Sequence, residues 1–288
     1  MGAATFGFIG LGQMGGPMSA NLAAAGFDLV VHDAAGTAER APAGARAVDS
    51  VAAVAAAADI VFLSLPAAAV VEAVAGEIVA APDRAATVVV DLSTIGIAAA
   101  GALAENLAAA GMTYIDAPVS GGRMGAEKGT LTVMCAGPAA AVERLRPAFD
   151  AIAGAVFAVG ERPGQGQAMK LLNNFLSAVA MTATSEAVAF GLAQGLDFAT
   201  LLDVVNVSTG QNTATRDKFP QRVLSGTYDS GFAMALMTKD VTLYCDSVTE
   251  AGTPDAIAAN IAAIWHAADA ALPGADFTRI FEHITRDK

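Results

Sequence analysis

The sequence is short of the residues that usually bind metals or form disulfide frameworks. It has two cysteines, Cys135 in an apolar run typical of a strand and Cys245 in a run with helical periodicity, and three histidines that share no ligand spacing. Two scattered cysteines are too few for a disulfide framework or a zinc site, and a lone histidine is more often a packing or surface residue than a ligand. We therefore expect buried structural thiols and no bound metal.

Basic residues are also scarce. Lysine and arginine together number 16 against 28 aspartates and glutamates, which gives a formal net charge of -12. Such a chain lacks the basic face that nucleic acid phosphates need, and it repels small anions at long range. This excludes nucleic acid as a partner and requires any anion site to be locally basic. Lys170 and Lys239 lie in largely apolar helical stretches, where lysine seldom occurs without a partner.

Long uninterrupted apolar runs are missing, although 55% of the residues are hydrophobic. Much of that fraction is alanine, which favours helices and buries little surface. The run that begins at Val51 is broken by Asp59, Pro66 and Glu72, short of the roughly 18 residues that a membrane span needs. The chain enters a strand-like run at Thr5 without a basic targeting region. We expect no transmembrane helix, no membrane partner and a cytoplasmic protein.

Two kinds of periodicity divide the chain, whose 288 residues exceed the usual size of a single core. Up to about Gly160, short β-branched or apolar runs alternate with alanine-rich helical stretches, which is typical of a doubly wound, mostly parallel α/β sheet. The expected strands are 5–9, 29–32, 60–65, 87–92, 113–117, 131–135 and 156–159. Beyond residue 166 the periodicity is helical, with helices expected at about 167–194, 198–207, 213–224, 233–251, 254–270 and 277–284.

These patterns predict an α/β domain at 1–162 and an all-α domain at 163–288. The long helix at about 167–194 would join the two domains directly. We therefore expect a ligand in the cleft between them.

A glycine-rich motif, G-x-G-x-x-G, follows the first expected strand and opens a helix; it consists of Gly10, Leu11, Gly12, Gln13, Met14 and Gly15. Gly10 permits the tight turn, and Gly12 lets the backbone approach a pyrophosphate at the helix N-terminus. Gly15 allows the helix to pack closely on the strand. The motif in this context predicts that the first domain is a Rossmann dinucleotide-binding domain.

An acidic residue closes the second expected strand, which ends in Val30-Val31-His32-Asp33. Asp33 stands at the distance expected for the carboxylate that binds a ribose. It would repel a 2'-phosphate, and no arginine follows it before Arg40. The sequence thus favours NAD over NADP. The alternative reading is a glycine turn followed by an ordinary strand-end aspartate.

Four segments, in this order, resemble the β-hydroxyacid dehydrogenase family; they are residues 8–18 with Asn21-Leu22, 116–122, 170–174 and 238–240. The resemblance covers nearly the whole chain. It implies a Rossmann domain followed by an all-α domain of the 6-phosphogluconate dehydrogenase type, usually as a homodimer or homotetramer. It also implies hydride transfer between nicotinamide and a small, 3-hydroxyisobutyrate-like 3-hydroxy carboxylate or its semialdehyde.

The same resemblance implies which residues hold the cofactor. Leu65, Pro66 and Thr94 would line it, and Lys239 would lie near the nicotinamide or its ribose. Local chemistry alone would make Pro66 a strand terminator and Thr94 a helix-entry residue. It would make Lys239 a solvated lysine paired with a neighbouring acid.

Lys170 and Asn174 are four residues apart on the long helix, so their side chains emerge from one face. We expect Lys170 to accept the substrate hydroxyl proton as hydride leaves and to return it in reduction, while Asn174 orients the same oxygen. A free lysine titrates at about 10.4, so this role requires desolvation or a nearby positive charge, such as the nicotinamide cation. The alternative is a lysine whose stem packs at the domain interface.

Ser120, Gly121 and Gly122 follow a strand end, where one hydroxyl and two exposed amides would hold a single substrate carboxylate. The segment is equally compatible with a plain turn. Arg123 comes next and either faces the cleft, where it would bind a second anionic or polar group of the substrate, or lies on the surface.

Two other functions stay open at this point. Imine reductases resemble the family in fold and cofactor use but generally lack the catalytic lysine, and some relatives are non-catalytic NAD-binding modules with that lysine replaced. The presence of Lys170, Asn174 and Ser120 argues against both.

Overall fold

The structure, a computed structural model, describes residues 4–286 and contains two compact units, 1–170 and 171–288. The described part of the first unit is built around one sheet. Its strands are β1 (Phe6–Ile9), β2 (Leu29–His32), β3 (Arg46–Ala47), β4 (Ile60–Leu63), β5 (Val88–Asp91), β6 (Thr113–Asp116), β7 (Val119–Ser120), β8 (Leu131–Ala136) and β9 (Ala153–Gly160). Its helices are α1 (Gly15–Ala24), α2 (Val51–Ala57), α3 (Ala68–Ala80), α4 (Ile97–Ala109), α5 (Gly122–Lys128) and α6 (Ala139–Ile152).

The sheet confirms the predicted Rossmann-type, mostly parallel architecture. Strands β3, β2, β1, β4, β5 and β6 are parallel neighbours in that order, and β9 lies parallel to β8. Strand β8 is antiparallel to β6 and β7, which the sequence did not indicate. The two-residue strands β3 and β7 were also not predicted, and β4 ends at Leu63 instead of residue 65.

The central strands are buried on both faces, which explains their continuous apolar runs. Because side chains alternate along a strand, Phe8 and Phe62 enter one core beneath α1 and α6, together with Leu22 and Phe149. Val61 and its neighbours in β4 and β5 enter the opposite core beneath α2, α3 and α4. This packing holds the strand ends, and whatever follows them, in fixed positions.

The second unit is helical, as predicted. It contains α8 (Phe198–Asn206), a π-helix (Ala214–Val223), α9 (Met234–Ala251), α10 (Ala256–Ala271), a 3-10 turn (Phe277–Arg279) and α11 (Ile280–Thr285), besides most of α7 (Gln165–Ala193). Trp265, Met181, Phe219 and Phe277 are among the side chains that form its core.

The segment predicted as an ordinary helix at 213–224 is a π-helix. Pro220 lies inside it and has no N–H to donate, which disrupts α-helical hydrogen bonding. At its end, the N–H of Leu224 donates to the carbonyl of Phe219, five residues earlier. A wider turn spacing thus replaces the α-helical one around the proline.

Helix α7 corrects the expectation that no segment is long and apolar enough to cross a membrane. Its 29 residues meet that criterion by length and composition, although Lys170 and Glu186 interrupt the sequence. However, 44% of its most apolar 18-residue window is buried inside the protein. Gln167, Asn174 and Ser185 are buried polar residues on this helix. The test is weak evidence for a membrane span, because the core helix of a soluble protein also passes it.

Candidate active site

Except for Lys239, which lies in α9, the predicted cofactor residues follow parallel strands, so they lie along one edge of the sheet. The glycine loop follows β1, Asp33 follows β2, Leu65 follows β4 and Thr94 follows β5. In open α/β sheets this carboxyl edge is where ligands bind. The order of the strands in the sheet therefore gathers residues that are far apart in the sequence.

The glycine loop has the sterics of a dinucleotide-binding turn. Gly10 has a φ of +94°, and a side chain there would collide with the carbonyl of Ser64. A side chain at Gly15 would collide with the carbonyl of Gly10 and approach the ring of Phe8. At Gly12, in contrast, no atom lies within 4 Å of where a side chain would begin. The loop thus leaves free space beside the start of α1, which fits a pyrophosphate.

Asp33 is fixed beside this loop. Its Oδ2 accepts the N–H of Leu11 at 2.6 Å, and its Oδ1 accepts the N–H of Ala35 at 2.8 Å. Arg40 Nη1 lies 3.7 Å from Oδ1. Arg40 is the first arginine after Asp33 and stands seven residues further along the chain, yet the chain folds back and brings the two charges together. The positive charge partly offsets the carboxylate that would repel a 2'-phosphate.

A pocket of about 350 Å³ opens over the glycine loop; it is lined by Leu11, Gly12, Gln13, Gly16, Pro17, Arg40 and Arg123. Arg123 Nη1 donates to Gln13 Oε1 at 3.0 Å, and Arg123 Nε donates to Glu127 at 2.7 Å. Arg123 thus faces the cofactor loop and is itself exposed. Two guanidinium groups therefore line this pocket, and each is paired with a carboxylate, Arg40 with Asp33 and Arg123 with Glu127.

The segments after β4 and β5 are joined by a hydrogen bond from a backbone N–H to a serine hydroxyl. The N–H of Leu65 donates to Ser93 Oγ at 2.9 Å, while Thr94 is half-buried and Pro66 is exposed. The structure therefore places Leu65 and Thr94 at the sheet edge that the resemblance requires.

Two carboxylates, Asp91 and Asp116, are paired neighbours at the ends of β5 and β6 and are fully buried. Burial raises the pKa of Asp91 from 3.8 to about 6, against the lowering effect of hydrogen bonds from Ser93. Burial likewise raises the pKa of Asp116, while hydrogen bonds from Gln167 oppose the rise. Tyr114 Oη donates to Asp91 at 3.3 Å, and burial raises the pKa of Tyr114.

The substrate segment predicted at 120–122 spans the end of β7 and the start of α5. Gly121 and Gly122 have φ values of +130° and +63°, which disfavour any residue with a side chain. Ser120 is half-buried, and Lys170, on α7, is 8% exposed. These four residues all belong to the first unit.

In the second unit, Asp240 links the other two predicted site residues. Asn174 Nδ2 donates to Asp240 Oδ2 at 2.5 Å, and Lys239 Nζ lies 3.1 Å from Asp240 Oδ1. Asp240 is 2% exposed, so this carboxylate is a buried partner for both. Asp240 lies in the motif at 238–240, but the sequence assigned no role to it individually. The available signal was an acidic residue next to a lysine within an apolar helix.

The Rossmann sheet, the glycine loop and the strand-end aspartate are the features of a dinucleotide-binding domain. The profile described as the NAD binding domain of 6-phosphogluconate dehydrogenase matches residues 5–160. The profile described as NAD-binding of NADP-dependent 3-hydroxyisobutyrate dehydrogenase matches residues 164–284.

Similar proteins agree with this class. The chain is 38% identical over 289 residues to 3-hydroxyisobutyrate dehydrogenase of Pseudomonas aeruginosa, covering 95% of this chain and 96% of that one. It is 38% identical over 256 residues to 2-(hydroxymethyl)glutarate dehydrogenase of Eubacterium barkeri, covering 86% and 83%. The solved structure of Mycobacterium tuberculosis 3-hydroxyisobutyrate dehydrogenase with L-serine matches at a TM-score of 0.91 and 33% identity, over 98% and 99% of the two chains.

The chain therefore belongs to the β-hydroxyacid dehydrogenase family and is an NAD(P)-dependent oxidoreductase that acts on CH–OH groups. Imine reductases are more distant. Three of their solved structures match at TM-scores of 0.64 to 0.66 with only 16 to 20% identity, which shows a shared fold alone.

The raised pKa of Asp91 predicts how the free energy of unfolding depends on pH. Between about pH 4 and pH 6 the folded protein binds this proton more tightly than the unfolded chain, so the stability contributed by Asp91 falls as the pH rises through that window. Asp91→Asn cannot ionise. Relative to the wild type, the variant should gain about 2 kcal/mol in the free energy of unfolding between pH 4 and pH 7. Urea unfolding of both proteins at both pH values measures this. If the free energies of unfolding of the variant and the wild type differ by the same amount at pH 4 and pH 7, the burial argument is contradicted.

Proposed function

We propose that the enzyme oxidises small 3-hydroxy carboxylates of the 3-hydroxyisobutyrate type with NAD, and that it reduces the corresponding semialdehydes in reverse. The observation that carries the proposal is a buried lysine, Lys170, one helical turn before buried Asn174 on α7. It occurs in a chain whose glycine loop fits a dinucleotide. Relatives named for 3-hydroxyisobutyrate, 2-(hydroxymethyl)glutarate and L-serine support this substrate class.

The cofactor would be held by the residues along the sheet edge. The amides and open space at Gly12 would take the pyrophosphate, and Asp33 would bind the ribose hydroxyls. When bound, the nicotinamide supplies the hydride acceptor or donor. Lys239, next to buried Asp240, would stand on the nicotinamide side. We favour NAD over NADP because the Asp33 carboxylate lies beside the loop, where it accepts the N–H of Leu11 and would repel a 2'-phosphate, a repulsion that Arg40 offsets only in part.

Proton transfer is assigned to Lys170. Its neutral Nζ accepts the substrate hydroxyl proton during oxidation and returns it to the carbonyl oxygen during reduction. Asn174 orients the same oxygen through its amide. Because Asp240 accepts one of the Asn174 amide hydrogens, the orientation of that amide is fixed.

The substrate carboxylate is assigned to Ser120, Gly121 and Gly122. The positive φ values of the two glycines turn the backbone at the start of α5, and the Ser120 hydroxyl lies beside them. Consecutive amides in such a turn form a small anion site. A single carboxylate held here would leave the hydroxyl carbon for Lys170.

We further propose domains at 1–162 and 163–288, a cytoplasmic location and a homodimer or homotetramer. The two matched segments, 5–160 and 164–284, support the boundary. Exposed apolar side chains on α7, among them Leu176 and Phe190, support association with a second copy.

Replacing the proposed general base should stop turnover without releasing the cofactor. We expect Lys170→Ala to lower kcat by about 10²- to 10⁴-fold, the range of general acid–base catalysis. NADH fluorescence titration should give a nearly unchanged Kd, because the proposed cofactor contacts lie elsewhere. Lys128→Ala, at the exposed end of α5, is the matched control and should keep wild-type kcat. Parallel losses of kcat and NADH binding in Lys170→Ala would refute the assignment.

Replacing Asp33 should reduce the preference for NAD. In Asp33→Ser the ribose hydroxyls lose a charged acceptor, so the Kd of NADH should rise by about 10- to 100-fold more than that of NADPH. Asp28→Ser, at the opposite end of β2, serves as the control because its carboxylate accepts a hydrogen bond from the Thr5 hydroxyl there, away from the glycine loop. An unchanged ratio of the two Kd values in Asp33→Ser would remove the basis for preferring NAD.

A further inference from the structure

The first turn of α7 is tied to the end of β6 by a buried carboxylate. Asp116 Oδ2 accepts the N–H of Gly164 and the N–H of Gln167, both at 3.0 Å. The first N–H groups of a helix have no partner within the helix, and a negative charge near them is stabilised by the helix dipole. Asp116 therefore fixes where α7 begins.

The side chain of Gln167 extends this connection to the end of β5. Its Oε1 accepts the N–H groups of Ile95 at 2.9 Å and Gly96 at 3.2 Å. Its Nε2 donates to the carbonyl of Ser93 at 3.1 Å and to Asp116 Oδ1 at 2.7 Å. Gln167 has no exposed surface. Its amide accepts two hydrogen bonds and donates two, which is the full number that a glutamine amide can make.

Close approach at this point depends on a glycine. A Cβ on Gly166 would lie 2.6 Å from the carbonyl oxygen of Met134 and 2.9 Å from Asp116 Oδ2. Any larger residue would push the helix start away from the sheet. The contact between the helix start and the sheet thus depends on Gly166 and Gln167 in the helix and on Asp116 in the strand.

The same cluster reaches residues assigned to the cofactor. Ser93, whose carbonyl accepts from Gln167, accepts the N–H of Leu65 through its hydroxyl. Gln167 precedes Lys170 by three residues, about one turn, so rotation of the first turn carries Lys170 with it. All of these residues lie in the first unit.

We propose that Gln167, with Asp116, is a positioning residue that fixes Lys170 relative to the strand ends that bind the cofactor. This inference rests on the proposed role of Lys170. Proton transfer requires the base within hydrogen-bonding reach of the substrate hydroxyl, and a displacement of about 1 Å costs on the order of 10²-fold in rate. Gln167 touches neither substrate nor cofactor in this role.

The test is Gln167→Met, which keeps the length of the side chain and removes its four hydrogen bonds. We expect kcat per folded enzyme to fall about 10- to 100-fold. The KM of the hydroxy acid and the Kd of NADH should change much less, and the melting temperature should fall. Kinetics are measured below the melting temperature found by circular dichroism.

Thr182→Val is the matched control on the same helix. Thr182 is buried, its hydroxyl donates to the carbonyl of Ala178, and it accepts from Trp265 Nε1. This variant should also lower the melting temperature but should keep wild-type kcat. If Gln167→Met behaves like Thr182→Val, Gln167 only stabilises the fold and the inference is overturned.

A second pair of variants decides the question if Gln167→Met does not fold. Gln167→Glu alone places two carboxylates against each other, whereas Gln167→Glu combined with Asp116→Asn restores a donor between the two positions. We expect the double variant to regain part of the kcat lost in Gln167→Glu. Losses that simply multiply would overturn the inference.

Lys170→Ala, assayed alongside, separates the two proposals. If Lys170→Ala keeps its activity, the proposed function fails. If Lys170→Ala is inactive while Gln167→Met and Gln167→Glu keep wild-type kcat, only the positioning inference fails.

Discussion

The pairing of parallel strands is the constraint on which the rest of the protein depends. Parallel neighbours end at the same edge of a sheet, so the residues that follow β1, β2, β4, β5 and β6 meet there although they are scattered over more than a hundred positions. The two hydrophobic cores, one on each face of the sheet, hold those strand ends in place. The glycine loop, Asp33 and the Ser93 to Gly96 segment all occupy that edge.

Buried polar groups at this edge are stable only because they are paired. Asp91 and Asp116 lie side by side without solvent, an arrangement that disfavours the ionised form and raises the pKa of both. Backbone N–H groups of α7 and the amide of Gln167 compensate Asp116, and Ser93 compensates Asp91. Breaking one member of such a network leaves the others unpaired, which costs more than the lost bond itself.

Much of this fold could be predicted from local patterns. Buried parallel strands read as apolar runs, and the glycine motif combines a strand, a turn and a helix within a few residues. The two-residue strands β3 and β7 carry no periodic signal, and the antiparallel direction of β8 follows from tertiary pairing. The π-helix depends on how Pro220 is accommodated.

The site was predictable only where chemistry was visible in the sequence. Lys170 and Asn174 are polar residues four positions apart in a largely apolar helical stretch, and Asp33 is an acid at the end of the strand that follows the glycine motif. Gln167 and Asp240 did not, because the partners that reveal their roles are distant in sequence: Gln167 binds Asp116 at a separation of 51 residues, and Asp240 binds Asn174 at 66. Such contacts leave no local signature in a single sequence.

The most direct test of the assigned chemistry is turnover by the purified enzyme. NADH formation should be followed by absorbance across a panel of 3-hydroxy acids, with NADH oxidation on the matching semialdehydes and on cyclic imines. We predict NAD-dependent oxidation of at least one 3-hydroxy acid and reduction of its semialdehyde. Reduction of imines alone, or cofactor binding without any turnover, would contradict the role given to Lys170.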